Sequence, residues 1–285
     1  WSRGVALGDV DGDGDLDAFV ANSEGQANRV WINDGNGNFN DSGQSLGSSY
    51  SDGVALGDVD GDGDLDAFVA NSEGQANRVW LNDGNGNFSD SGQSLGSLYS
   101  FDVALGDVDG DGDLDAFVTN TSQANKVWLN NGSGNFSDSG QSLASSNSID
   151  VSLGDVDGDD DLDAFVANYN QANRVWLNDG SGGFTDSGLP LGNSYSRAVN
   201  LGDVDGDGDL DAFVSNGHAS KVWLNEPVIP GDANGDGNID ALDITKVERI
   251  IAGLDTETTG ADANQDGNLN ALDITKVERL IAGLD

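Results

Sequence analysis

The stretch DVDGDGDLDAFVAN (residues 9–22) places carboxylates at positions 9, 11, 13, 15 and 17 and then turns apolar. Like charges so crowded disfavour one another's ionisation unless a cation sits among them. The motif returns with its first Asp at 58, 107, 155 and 203, and a second string, VW(L/I)N, returns with Trp at 31, 80, 128, 176 and 223. The period is 47 to 49 residues. Such self-similarity marks a repeat architecture in which each unit buries its faces on its neighbours.

Alternation and turn residues predict four short strands per unit, which in the second unit cover residues 53–58, 65–71, 77–83 and, more weakly, 88–95. The acidic loop joins the first two strands, and NDGNGN makes a tight turn between the last two. Val79 and Leu81 point one way and Trp80 the other, so both faces of the sheet must be covered. Four strands repeated without helical period fit a β-propeller blade, since radial repetition leaves few open edges. The expectation is an all-β, five-bladed β-propeller with units near 1–49, 50–98, 99–146, 147–194 and 195–225. The fifth unit encodes no fourth strand, which leaves an edge for residues 226–230 or for a neighbouring molecule.

The loops offer only hard oxygen donors, which suits Ca²⁺ rather than Zn²⁺. Positions 1, 3, 5 and 9 are Asp9, Asp11, Asp13 and Asp17; Asp58, Asp60, Asp62 and Asp66; Asp107, Asp109, Asp111 and Asp115; Asp155, Asp157, Asp159 and Asp163; and Asp203, Asp205, Asp207 and Asp211. Position 7 adds a carbonyl from Asp15, Asp64, Asp113, Asp161 or Asp209. Gly14 supplies a left-handed turn, where the fourth loop has Asp160 and is expected to bind more weakly. These residues resemble the FG-GAP or VCBS repeats of integrin-type propellers over residues 1–225. The resemblance implies a calcium-stabilised, extracellular propeller, although that family more often closes with seven blades.

After a Pro-containing linker (226–230), residues 231–285 hold two units that each pair an acidic loop with an amphipathic helix. Ile244, Val247, Ile250 and Ile251 share one helix face, as do Ile274, Val277, Leu280 and Ile281, and the two helices are expected to bury these stripes together. This segment resembles a type I dockerin. The resemblance implies ligands at Asp232, Asn234, Asp236, Asn238 (by carbonyl), Asp240 and Asp243, and at Asp262, Asn264, Asp266, Asn268 (by carbonyl), Asn270 and Asp273. It also implies a cohesin-like partner, recognised by Ala241, Leu242, Glu248 and Arg249 and by the duplicate set Ala271, Leu272, Glu278 and Arg279. About seven Ca²⁺ sites follow in all.

A net charge of −40, from 51 acids and 11 bases, excludes nucleic-acid and anionic-membrane surfaces as partners. No apolar run is long enough to insert in a bilayer. With no cysteine there is neither a disulfide nor a thiol ligand. The chain also has no Met, even at position 1, which reads as a processed or excised chain and accords with an extracellular or cell-surface location. Trp1, Tyr50, Tyr99 and Tyr195 occupy one aligned position as a partial aromatic ring, for packing at the blade ends or for stacking on carbohydrate. Arg29, Arg78, Lys126, Arg174 and Lys221 share another, where pairing to carboxylates is expected. Asn40, Asn87, Asn120, Asn131 and Asn135 stand in N-x-S/T contexts for glycosylation.

Catalysis needs a singular cluster of groups with separated pKa values. Units one and two are instead identical over residues 4–31 and 53–80. The first expectation is therefore a non-enzymatic extracellular calcium-binding scaffold or adhesion protein, anchored or assembled through the dockerin-like tail on a cohesin-like protein or another copy of itself. A self-assembling fibre subunit is the second. A dockerin-borne polysaccharide lyase or hydrolase is the third.

Overall fold

The computed structural model describes residues 1–189, 191–225, 231, 233, 238–254, 258–265 and 268–284. The chain divides into two units, Trp1–Asn225 and Glu226–Asp285. The expected linker, 226–230, lies outside the described residues.

In the first unit, β1 (Ser2–Gly8), β2 (Asp17–Asn22), β3 (Arg29–Asn33) and β4 (Phe39–Asp41) form one four-stranded antiparallel sheet in sequence order. β5 (Ser51–Gly57), β6 (Asp66–Asn71), β7 (Arg78–Asn82) and β8 (Phe88–Asp90) form a second. The fourth strand is shorter than expected, because only Leu95 of the segment after Asp90 pairs again, as a single bridge to Asn77.

The later repeats merge into one nine-stranded sheet. It contains β9 (Ser100–Gly106), β10 (Asp115–Leu129), β11 (Ser137–Asp138), β12 (Leu143–Gly154), β13 (Asp163–Leu177), β14 (Thr185–Asp186), β15 (Leu191–Gly202), β16 (Asp211–Asn216) and β17 (Lys221–Trp223). The cause is local. Repeats one and two connect their second and third strands through NSEGQAN, where Glu24 and Glu73 take φ of 59° and 57° in a turn. Repeats three and four have one residue fewer, NTSQAN and NYNQAN, so both strands run on as one, and its middle pairs with the next repeat, as in Thr121↔Asn147 and Tyr169↔Tyr195.

A polar lock recurs in the first four repeats. Asn71 accepts from Ser51 Oγ at 2.7 Å and donates to the Ala76 carbonyl at 2.7 Å, while its own N–H donates to Asn77 Oδ1 at 2.8 Å. These buried groups are thereby satisfied, which removes a desolvation cost and fixes strand register.

The apolar core lies between successive sheets. Phe19, Phe68 and Phe117 each meet the next repeat's Phe88, Phe136 and Phe184 edge-on, with ring centroids 5.2, 5.2 and 5.4 Å apart. Leu56 and Leu65 sit on Gly8, where an added Cβ would lie 3.1 and 2.6 Å from their Cδ1 atoms. The same seat recurs at Gly57, Gly106 and Gly154.

At the two ends this packing stops. Leu7 and Leu16 are 60% and 56% exposed, and a Cβ at Gly202 would meet nothing within 4 Å. The five-bladed ring expected from the sequence therefore does not close: the first and fifth repeats leave their outer faces bare. The fifth repeat has three strands among the described residues.

In the second unit α1 (Ala241–Ile251) and α2 (Ala271–Ile281) begin with matched capping boxes, Asp240 with Asp243 and Asn270 with Asp273. Val247 and Val277 are fully buried, and Ala233 and Ala261 complete the small core with Val247. Ile251 and Ile281 depart from expectation. They are 44% and 45% exposed, on the last residue of each helix, whereas Ile250 packs on the core.

Candidate metal centres and docking faces

Each acidic loop is shaped by its own backbone. Asp9 Oδ1 and Oδ2 accept from the N–H groups of Gly12 and Gly14 at 2.8 and 2.9 Å, which turns the loop inward. Gly14 takes φ of 93°, a left-handed conformation suited to glycine. In the fourth loop Asp160 takes φ of 72° and keeps the equivalent bond to Asp155 at 3.1 Å.

Position 9 closes the loop from the sheet side. Asp66, fully buried, accepts from Val59 N–H at 3.0 Å and from Asn82 N–H at 2.8 Å, so it joins loop, β6 and β7. Asp17, Asp115, Asp163 and Asp211 do the same in their repeats.

The structure gathers carboxylate oxygens within 4.8 Å of one another in all five loops. The sets are Asp9, Asp11 and Asp13; Asp58, Asp60 and Asp62; Asp107, Asp109 and Asp115; Asp155, Asp157 and Asp163; and Asp203, Asp205 and Asp211. Together they use positions 1, 3, 5 and 9. Position 7 belongs to none of the sets.

The electrostatics match a cation site. Burial first, then the neighbouring carboxylates, pushes Asp60, Asp109 and Asp157 above the usual carboxylate range. Burial likewise pushes Asp66 and Asp115 up to about 6, against the pull of two backbone N–H groups each. Asp60 Oδ1 is buried with no hydrogen-bond partner among the described residues. An orphan acceptor aimed into an all-oxygen loop fits a hard divalent cation such as Ca²⁺.

In the helical unit, Asp243 and Asp273 are fully buried and accept from Asp240 N–H and Asn270 N–H, each at 2.7 Å. Asp273 also accepts from Asn264 N–H at 3.3 Å, which draws the second loop onto α2. Asn238, Asp262 and Asn268 are among the described residues, whereas Asp232, Asn234, Asp236 and Asp266 lie outside them. The two helices present duplicate exposed faces: Ala241, Leu242, Glu248 and Arg249 on α1, and Ala271, Leu272, Glu278 and Arg279 on α2.

The other sequence signals fall as follows. Arg29, Arg78, Lys126 and Arg174 pair with Asp41, Asp90, Asp138 and Asp186. Lys221 instead lies over the Trp223 ring, 4.4 Å from its centroid. Trp1, Tyr99 and Tyr195 are exposed and Tyr50 half-buried; Trp1, Tyr50 and Tyr99 immediately precede a repeat's first strand, and Tyr195 lies within β15. Tyr195 meets Tyr169 and His218 edge-on at 5.1 and 5.8 Å. Asn40, Asn87, Asn131 and Asn135 are exposed, but Asn120 must be corrected as a glycosylation candidate. It is fully buried and its amide donates to the Ala124 carbonyl.

Two features escaped the sequence reading. Asp102 and Asp150 stand side by side where repeats one and two have Gly4 and Gly53, and each accepts from the next repeat's backbone, at Val151 and Val199. Burial, then the charge of Asp150, pushes Asp102 well above its ordinary value. The departure from the repeat was their only signal. Gln44, Gln93 and Gln141 each clamp the following repeat, Gln44 by donating to the Gly86 carbonyl and accepting from Phe88 N–H. Their recurrence in SGQSL could have revealed them.

Repeated β-sheets joined by oxygen-lined loops, followed by a paired acidic-loop helix module, define an acidic-loop repeat protein. The FG-GAP-like repeat matches residues 9–69, 58–118, 107–166 and 155–214, and the type I dockerin domain matches 230–282. The chain belongs to the FG-GAP-like repeat family and carries a C-terminal type I dockerin domain. No curated protein matches it. Similar solved structures include a functionally unknown protein from Desulfotomaculum acetoxidans DSM 771, at 14% identity and a TM-score of 0.56, covering 78% of this chain and 68% of that one. Another is BBS1N in complex with ARL6DN, at 14% identity and a TM-score of 0.50, covering 78% and 62%. At that identity the likeness is one of fold alone. Among the described residues no helix is long and apolar enough to cross a membrane.

Proposed function

We propose that this chain is a non-enzymatic extracellular scaffold or adhesion module, five calcium-clamped propeller-type blades displayed through a dockerin on a cohesin-like partner. About seven Ca²⁺ ions would be held, five in the blade loops and two in the dockerin loops. The observation that carries the reading is the regularity of the charge. Five loops in register each bring three carboxylates within 4.8 Å of one another, and the C-terminal helices duplicate one exposed face. Dockerin domains bind cohesins, and such modules assemble outside the cell.

Immobilised cohesin modules should capture the full chain in calcium and release it in chelator. Capture that is lost with Leu242→Asp and Leu272→Asp together, while the repeats stay folded, supports the docking faces. Failure of a broad cohesin panel to retain calcium-loaded protein would overturn the anchoring role. The bare faces of the first and fifth repeats favour a second reading, assembly of the chain with itself.

A further inference from the structure

The two bare faces are the two halves of a joint that the chain already makes four times. In every internal joint, two leucines of one repeat sit on a glycine of the preceding repeat, as Leu56 and Leu65 sit on Gly8. In the first three joints a phenylalanine of the later repeat also meets one of the earlier, as Phe88 meets Phe19. An asparagine then donates across the joint to a valine carbonyl in the acidic loop, at 2.8 Å from Asn82 to Val10, and likewise from Asn130 to Val59 and Asn178 to Val108.

The first repeat holds the later half of this set with nothing to receive it. Leu7 and Leu16 are exposed, Phe39 is 45% exposed where Phe88 is buried, and the side chain of half-buried Asn33 donates only to the Leu16 carbonyl of its own repeat, where Asn82 is buried. The fifth repeat holds the earlier half. Gly202 is bare, Val204 is 53% exposed where Val10 is buried, and Phe213 is 48% exposed where Phe19 is fully buried.

We propose that the first repeat of one copy docks on the fifth repeat of a second copy, with Leu7 and Leu16 on Gly202, Phe39 against Phe213, and Asn33 donating to the Val204 carbonyl. The occupant is fixed by continuity: the joint is the established repeat-to-repeat interface, continued between chains. Because the two surfaces differ, the contact is head-to-tail and propagates until a ring closes or a filament grows. The inference goes beyond the docking role and does not depend on it. The glutamine clamp of the first three internal joints has no counterpart in the fifth repeat, so this joint is weaker than those three. A net charge of −40 opposes it further, so bound calcium and added salt both favour it.

The test uses the full chain in saturating calcium, with mass measured against concentration by sedimentation. Wild type should grow in mass with concentration. Phe39→Asp and Phe213→Asp each remove one half of the joint and should weaken self-association by at least about tenfold. Mixed together, the two variants retain one intact half each and should form a heterodimer that goes no further. That rescue shows both variants are folded and the joint is head-to-tail. A wild type that stays monomeric at every concentration overturns the proposal, as do variants that assemble as wild type does, or a mixture no heavier than its components.

Discussion

The Asn82 side chain donates to the Val10 carbonyl at 2.8 Å, so the acidic loop of the first repeat is fastened to the third strand of the second. The same amide reaches Leu65 in its own loop at 3.2 Å. One side chain thus holds two acidic loops in fixed relation. A change at this residue acts on both loops at once.

Asn82→Ala should therefore do more than weaken one strand. It leaves the buried Val10 carbonyl unpaired, at a cost of about 1–3 kcal/mol. Thermal melts should show the loss, and calcium titration by calorimetry should show weaker binding at one site. A lower melting temperature with unchanged calcium binding would show the loop to be rigid without its neighbour.

Calcium removal should lower the melting temperature by more than about 10 °C, since several sites each contribute through mass action. The bare loops then repel. Added sodium chloride should raise the melting point of the chelated protein more than that of the loaded protein, because screening acts on unpaired charge. Equal salt responses would place the repulsion elsewhere.

Asp160 holds a left-handed φ of 72° where four other loops have glycine. An added Cβ meets no atom within 4 Å at Gly14, Gly63, Gly112 or Gly208, so the cost at this position is backbone strain rather than crowding. Asp160→Gly should stabilise the protein by about 1 kcal/mol and tighten calcium binding at the fourth loop. Calorimetry on the single variant measures both.

Asp102 predicts a pH dependence. Its folded pKa lies above that of the unfolded chain, through burial and then the charge of Asp150. Between those two values the folded chain keeps a proton that the unfolded chain has released, so stability falls as pH rises through the window and levels off above it. Asp102→Asn can still accept from Val151 N–H and can donate to Asp150. It should flatten that slope and raise stability at pH 8 by about 1 kcal/mol. Denaturant melts at pH 5 and pH 8, in constant calcium, give the comparison.

The repeat and its loop chemistry were legible because both are periodic. Asp9 to Asp17 recur at fixed offsets, and the pattern of residues 65–71 predicts a strand that the structure places within a residue, at Asp66–Asn71. Ring closure was not legible, because the sequence shows that neighbours pack but not the angle each joint adds. The fusion of two strands into β10 and β13 turns on a single missing residue, which a propensity reading passes over. Ile251 and Ile281 share the apolar helix face in projection, yet each stands exposed on the last residue of its helix. The Asp102 and Asp150 pair breaks the repeat, and a reading built on regularity discards such departures as noise.

The glycine seats at Gly8, Gly57, Gly106 and Gly154 receive equivalent leucines in equivalent poses. The leucine-on-glycine seats are alike in all four joints, so recombination within the gene can insert or delete a whole unit while keeping this contact on both flanks. Selection on such a lineage acts on span as a whole-number trait, with the terminal units alone bearing the consequences of each change in copy number.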